Sequence, residues 1–474
     1  MATPSVLDPA PLLANGFKGQ LLRDGDPGYD EARAVFNGMI DKHPGLVVRP
    51  AGTSDVVDAV GYARDRGLPV AVRCGGHSVA GKAVVDDGVL IDLRSLKGTH
   101  VDPQRRTARA NGGVLWGEYD RETQLHGLVT PGGRVTTTGI GGFTLGGGYG
   151  WLSTTYGLAC DNLLSADVVT ADGRVVTASE DENPDLLWGL RGGGGNFGVV
   201  TSYELRVHPL GPIVMAGLIP HAMDGAGEVA RAYRDLVERS PEQLCTGIAV
   251  ILAPPEPWVP AEAVGKPAFG IVAIWAGDPD EGREGLAELR AIGSPVADLV
   301  QPMPYTAFQS MLDGFAPTGW RNYTTGEHMT ALTDDAIDTF LEHGSRIESP
   351  MSQAIIFRHG GAISRVPEDA TAAGHRAAPY MLHPIACWQD PSEDARHVGW
   401  ARSMSEAMRP FTTGGVYLNF EPDEGEAHLR SGFDADKFQR LVELKDTWDP
   451  QNLFRVNQNI RPSAAAVPGQ VRRE

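Results

Sequence analysis

The chain has 474 residues, too many for a single hydrophobic core, so at least two domains are expected. Its 42% hydrophobic and 21% charged content is ordinary for a globular protein. The net charge of −19 argues against a nucleic-acid-binding surface and against an anionic membrane as partner.

The N-terminal stretch "MATPSVLDPAPLLANGF" has no basic start, and Asp8 and its prolines break the apolar run. No secretory signal is expected, and with no uninterrupted apolar run of ~18 residues a cytoplasmic protein is the expectation. Residues 45–49 (GLVVR) read as a strand and "TSDVVDAVGYARDRG" as a helix, capped by Thr53 or Ser54 and stopped by Gly67. Residues 69–73 form the next strand and run into "AVRCGGHSVAG", a permissive loop around a single His77. Strands follow at 88–93 and 106–111, then a helix over 113–127. "SADVVTADGRVVTAS" is a hairpin turning at Asp172-Gly173. "NPDLLWGL" is a short helix with Asn183 as cap and Pro184 at its first position. A strand over 199–210 closes this half.

Beyond Gly211-Pro212, strands (GIAVILA, FGIVAIWA, SQAIIFRH) alternate with helices (EVARAYRDLVERS, DEGREGLAELRAIG, TDDAIDTFLEHGS) to about residue 410. That alternation predicts an α+β second domain. The tail ends in "WDPQNLFRVNQNI" and a Pro/Ala-rich end expected to fray. The four cysteines Cys74, Cys160, Cys245 and Cys387 lack CxxC spacing, so reduced, mostly buried thiols are expected, with no metal site.

Glycine is the compositional outlier: 59 of 474 residues, about 12% against the usual ~7%. Three clusters, at 75–81, 139–150 and 192–198, lie within one half of the chain. Backbone without side chains presents N–H groups at no steric cost, so the clusters predict an extended ligand cradle suited to a diphosphate. A Rossmann site is not expected, because the loop at 75–81 leads into a strand rather than a helix. No Walker A sequence is present.

Four ordered segments, "AVRCGGHSVAG", "GIGGFTLGGGYGWLSTTYGLACDNLLSADVVTADG", "NPDLLWGLRGGGGNFGVVT" and "WDPQNLFRVNQNI", resemble the berberine bridge enzyme-like flavoproteins of the vanillyl alcohol oxidase superfamily. The resemblance is dense over about 40–210 and 410–460 and weak between. It implies an α+β fold in which a two-lobed FAD-binding domain of the PCMH type (41–211) follows an N-terminal segment (1–40). A substrate domain with a large antiparallel sheet (212–410) would follow, then a C-terminal return to the FAD domain (411–474).

By the family pattern His77 is linked covalently to the flavin, consistent with a neutral imidazole being a good nucleophile. The resemblance further implies FAD contacts from Arg73, Cys74, Gly75, Gly76, Ser78 and Gly81 around it. The central segment would contribute Val135, Thr138, Gly139, Gly141, Gly142, Gly146, Gly147, Tyr149, Gly150, Asp161 and Asn162. Gly198, Val199, Val200, Asn419, Asn457 and Asn459 complete the set. Asn457, Gln458 and Asn459 in succession are costly to bury without polar partners, and flavin atoms would serve.

Two departures from the family pattern stand out. Where many relatives carry a second anchoring Cys, Val135 stands in "GRVTTTG", which implies a single covalent link and favours small substrates. Where relatives carry a final Tyr in Y-x-N-Y, this chain has Phe420 in "YLNF", and "SQAIIFRHGG" offers no carboxylate. Period-two alternation separates Gln353, Ile355, Phe357 and His359 from Ala354, Ile356 and Arg358, without saying which face meets the flavin. His359, Tyr417 and Tyr323 remain as candidate proton acceptors, with Arg358 as a candidate orienter.

The expected activity is that of an FAD-dependent oxidoreductase, an oxidase before a dehydrogenase. Hydride would leave a small alcohol, amine or phenolic substrate for flavin N5 and electrons would pass to O₂. The alternatives are an oxidative-cyclisation or tailoring flavoenzyme of natural-product biosynthesis and a flavin-fold binding module without redox chemistry.

Overall fold

The computed structural model describes residues 7–463; the expectation of a frayed Pro/Ala-rich end falls outside that range. The chain begins with a small sheet in the order Gln20–Leu22, Leu46–Arg49, Val89–Asp92, Val70–Arg73. The last three are parallel and the first antiparallel. Val89–Asp92 is buried along its whole length and reads VLID, an apolar run typical of a strand covered on both faces. Within the segment before residue 41, Gln20–Leu22 joins this lobe as an edge strand. Helix Thr53–Asp65 packs Val56, Ala59, Val60 and Ala63 into the lobe. Its N-cap is Gly52, and the carboxylate of Asp55, within the first turn, accepts from the N–H groups of Ala51, Lys18 and Gly19. The expected cap at Thr53 or Ser54 is replaced by this acidic clamp, which also ties down the N-terminal strand.

The second lobe is a five-stranded antiparallel sheet, in the order Thr99–Asp102, Thr107–Asn111, Val199–Arg206, Leu163–Val169, Val175–Ser179. The predicted hairpin is its edge. The helix expected over 113–127 spans Trp116–Gln124, and Asn183 precedes helix Pro184–Leu190 in a left-handed conformation without a side-chain cap.

The chain crosses at Gly211-Pro212 into a nine-stranded antiparallel sheet. Its central strands are Leu244–Leu252, Gln353–Arg358 and Tyr380–Trp388. One face is covered by helices Ala226–Val237, Asp334–Gly344 and Asp394–Met408, packed on Ile248, Ile356 and Leu382. The segment "DEGREGLAELRAIG" is two short helices, Pro279–Gly285 and Ala287–Arg290, and the first presses so closely on the sheet that a Cβ at Gly285 would sit 2.3 Å from the Trp275 ring. The opposite face carries Ile355, Phe357 and Met381 and turns toward Tyr149 and Trp151 of the glycine-rich segment.

Strand Thr412–Val416 is still an edge of this sheet, and the return begins after it. Helix Ala435–Trp448 then packs Phe438, Leu441 and Leu444 against Leu186, Leu190 and Phe197. The four cysteines are free, and all but Cys74 are buried. Among the described residues no helix is long and apolar enough to cross a membrane.

Candidate active site

The three glycine clusters and the open face of the large sheet enclose one cavity of about 370 Å³. The loop after strand Val70–Arg73 reaches it because two backbones touch. A Cβ on Gly75 would sit 2.3 Å from the Gly139 nitrogen, and one on Gly139 would sit 2.4 Å from Cys74 Sγ. His77 is held at the wall by a 2.8 Å hydrogen bond between Nε2 and Thr137 Oγ1 and by stacking on Phe36 with ring centres 4.1 Å apart. Burial, then the charge of Arg73, push its imidazole down to about 4, so it is neutral at physiological pH. With Nε2 engaged, Nδ1 is the ring nitrogen left without a hydrogen-bond partner among the described residues.

The remaining lining shows whether a flavin dinucleotide suits this space. Gly142 and Gly195 line the cavity, and a Cβ at either would meet no protein atom within 4 Å. Asn457 donates to the carbonyls of Gly195 and Phe454, which leaves its buried Oδ1 without a donor among the described residues; Asn459 Oδ1 is also buried and unpartnered there, but Asn459 does not line the cavity. Open backbone and an orphaned acceptor are what a hydroxyl- and N–H-bearing cofactor would complete. The residues present fit FAD.

Of the residues expected at the cofactor, His77, Cys74, Gly75, Gly76, Ser78, Val135, Thr138, Gly139, Gly142, Gly146, Tyr149, Gly198, Val200, Asn419 and Asn457 line the cavity. The others do not. Arg73 lies behind the loop, donating to the Ala32 carbonyl. Gly81 backs onto Ile40, Gly141 onto the Tyr203 hydroxyl and Gly150 onto the Gly132 carbonyl. Gly147 faces the Tyr417 ring, and Val199 is buried in the core of the small lobe. Asp161 pairs bidentately with Arg376 of the substrate domain, at 2.6 and 3.0 Å. Asn162 donates to the carbonyls of Tyr156 and Leu158 and its Oδ1 meets His208 Nε2. The last two therefore join parts of the chain, and their amides and carboxylates are spent on protein.

None of the four residues expected to handle protons lines this cavity. Arg358 points away, donating to the carbonyls of Ser240, Pro241 and Leu244. The Tyr323 hydroxyl is taken by Glu424 and Arg402. His359 Nδ1 meets the Ala378 carbonyl, and with Tyr417 it lines a second, small cavity of about 30 Å³. The Tyr417 hydroxyl accepts from the N–H groups of Gly148 and Tyr149 and from Asn419 Nδ2. It thereby fixes Asn419 against the glycine turn. The structure also answers the question of faces: Gln353, Ile355 and Phe357 line the cavity.

Two cavity residues escaped sequence reasoning. His383, in strand Tyr380–Trp388, has Nδ1 2.7 Å from the Thr325 carbonyl and stacks on Phe420 with centres 3.7 Å apart. A carbonyl only accepts, so the proton sits on Nδ1 and Nε2 keeps its lone pair. Burial, with a smaller push from Arg134, lowers His383 to about 3. Its signal was a lone imidazole among apolar strand residues, in phase with Met381 and Ile385. Arg134 is the second, a guanidinium one position before Val135 in an otherwise small, uncharged motif.

Comparison with known proteins bears on this arrangement. A family model for the FAD binding domain matches residues 44–179, and one described as berberine and berberine like matches residues 416–461. The (R)-6-hydroxynicotine oxidase of Paenarthrobacter nicotinovorans is 30% identical over 459 residues, spanning 95% of this chain and 98% of that protein. The chain belongs to the berberine bridge enzyme-like FAD-linked oxidoreductases. An FAD-linked oxidoreductase of Dictyostelium discoideum is 29% identical, covering 95% of this chain and 96% of its own. The crystal structure of 6-hydroxy-D-nicotine oxidase from Arthrobacter nicotinovorans superposes with a TM-score of 0.85 at 27% identity, covering 94% of this chain and 98% of that one. This berberine bridge enzyme-like chain is therefore an FAD-linked oxidoreductase, with the α+β fold and large antiparallel sheet that its sequence implied.

Proposed function

We propose that the protein is an oxidase that holds FAD by one covalent bond, from His77 Nδ1, and oxidises a small molecule at its O–H- or N–H-bearing carbon. One observation carries the reading: a single cavity joins His77 on the glycine-rich wall to a neutral imidazole, His383, on the sheet wall. Bound FAD supplies the acceptor for the substrate's hydride and the route of both electrons to O₂.

The chain's own residues supply the rest. His383 Nε2 accepts the substrate's proton as hydride leaves, so the substrate gives up two electrons and two hydrogens in all. Phe357, Ile355 and Phe420 exclude water around that lone pair, and Gln353 offers an amide to orient the substrate. Tyr417 acts through Asn419, holding its amide toward the cavity. Val135, apolar where a second anchor would stand, supports a single link. The relatives named for hydroxynicotine oxidation support a small nitrogen-containing or hydroxylated substrate as the class to try first.

Acid precipitation of the purified protein is the test of the linkage. Yellow colour is expected to stay in the wild-type pellet and to leave it in His77→Ala. A wild-type pellet that releases all its flavin would overturn the covalent assignment.

A further inference from the structure

Among the described residues, Arg134 and Lys82 are the permanent cations of the cavity lining, and the Lys82 ammonium pairs with Asp423. Only 8% of Arg134 is exposed, and among the described residues no carboxylate pairs with it. Its Nη1 is buried without a hydrogen-bond partner, and Nη2 reaches only the Tyr149 carbonyl at a long 3.4 Å. The guanidinium carbon lies 3.5 Å from the centre of the Phe357 ring and 4.9 Å from that of Tyr149, with Trp151 and Phe420 at 5.4 and 5.8 Å.

Ring faces attract a cation, at about 0.5–2 kcal/mol each, but accept none of the five N–H groups that a guanidinium presents in a fixed fork. A buried charge without a counter-charge costs several kcal/mol. The chain carries net charge −19 and 60 acidic residues, yet among the described residues none pairs with this guanidinium; Glu421, which lines the same cavity, is taken by the Gly326 N–H and His428. The partner is then expected among the molecules that enter the cavity. The fork matches a carboxylate, and the aromatic walls fit a flat body attached to it.

We propose that Arg134 is a substrate-anchoring residue and that the substrate is a small planar acid whose carboxylate pairs with it. The proposal rests on the oxidase reading above and gives that site its substrate class. It also connects the cavity's two unassigned groups. The charge of Arg134 lowers the basicity of His383. A carboxylate on Arg134 neutralises that charge, so a correctly bound acid makes His383 a better proton acceptor than a neutral analogue would.

The experiment is calorimetric titration of the flavin-loaded protein with benzoate and with benzamide, its uncharged isostere. Benzoate is expected to bind at least tenfold more tightly to the wild type. That preference should fall to within twofold in Arg134→Met and be largely kept in Arg134→Lys, which preserves the charge and controls for folding. A wild type that binds both probes equally, or neither, overturns the proposal, as does a preference that survives in Arg134→Met. So does an Arg134→Met variant whose flavin midpoint potential shifts while the benzoate preference stays, since the guanidinium would then serve the cofactor. Protein purified without flavin would overturn the oxidase reading instead, and calorimetry would still read the benzoate preference.

Discussion

The imidazoles of this protein illustrate how one side chain takes different roles from its partners alone. His77 and His383 are both neutral and both face the cavity, but each has a different nitrogen engaged. Thr137 holds Nε2 of the first, and the Thr325 carbonyl holds Nδ1 of the second. The free nitrogen is thus Nδ1 at one wall and Nε2 at the other. His383→Gln keeps a polar group of similar reach and removes the basic lone pair. With a substrate that the wild type oxidises, anaerobic flavin reduction is expected to slow by roughly 10²–10³, the contribution of a positioned base. Flavin content should be unchanged, because among the described residues the hydrogen-bond and ring partners of His383 are Thr325, Phe357 and Phe420, none of them in the His77 loop. Reduction at the wild-type rate would remove His383 from the proton path.

At the scale of elements, the C-terminal return decides whether the cradle closes. Lys445, fully buried in helix Ala435–Trp448, donates to Asp449 Oδ2 at 2.7 Å, to the Asn196 carbonyl at 2.8 Å and to the Phe454 carbonyl at 3.0 Å. All three ammonium protons are used. Asp449 also accepts from the N–H groups of Leu453 and Phe454. This knot fastens the "WDPQNLF" turn to the third glycine cluster and aims Asn457 at the cavity. Lys445→Met leaves a buried carboxylate without its cation and should cost about 3–5 kcal/mol. A lowered denaturation midpoint together with weaker FAD retention is expected, and a midpoint unchanged within error would exclude the knot.

The turn itself was legible in "WDPQNLF", as were the hairpin at Asp172-Gly173 and the first strand–helix–strand unit, because each is written in adjacent residues. Arg376 meeting Asp161 across 215 positions was not, nor was Arg358 capping carbonyls more than a hundred residues away. Such pairings depend on how domains meet, and local patterns carry no record of them. The same limit explains the site. The glycine-rich wall is built from contiguous motifs, so its place in the chain could be marked from sequence, whereas the sheet wall is a face, and its histidine declares itself only when the strand's partners are known.

Considered as a whole, the molecule buries imidazoles on both sides of the domain boundary, and this ties its stability to pH. Burial lowers His208 and His359 to about 4 and His383 to about 3, against 6.5 in the unfolded chain. A depressed folded value means stability that is present above pH 6.5 and is lost as pH falls toward 4. At pH 5 each group costs on the order of 2 kcal/mol relative to neutral pH. Glu327 acts in the opposite sense. Burial, then the neighbouring Glu421, raise it from 4.5 to about 7, so its contribution is present below 4.5 and lost as pH rises through 7. On acidification from pH 7.5 to 5 it restores roughly 2 kcal/mol, less than the three histidines together remove. The melting temperature should therefore drop between pH 7.5 and 5. Glu327→Gln should melt higher than wild type at pH 7.5, with the gain shrinking toward pH 5, so that its drop over the same range is the larger. Melting curves of both proteins at the two pH values check this, and a wild type that is more stable at pH 5 would mean that the buried histidines are not held neutral by the fold.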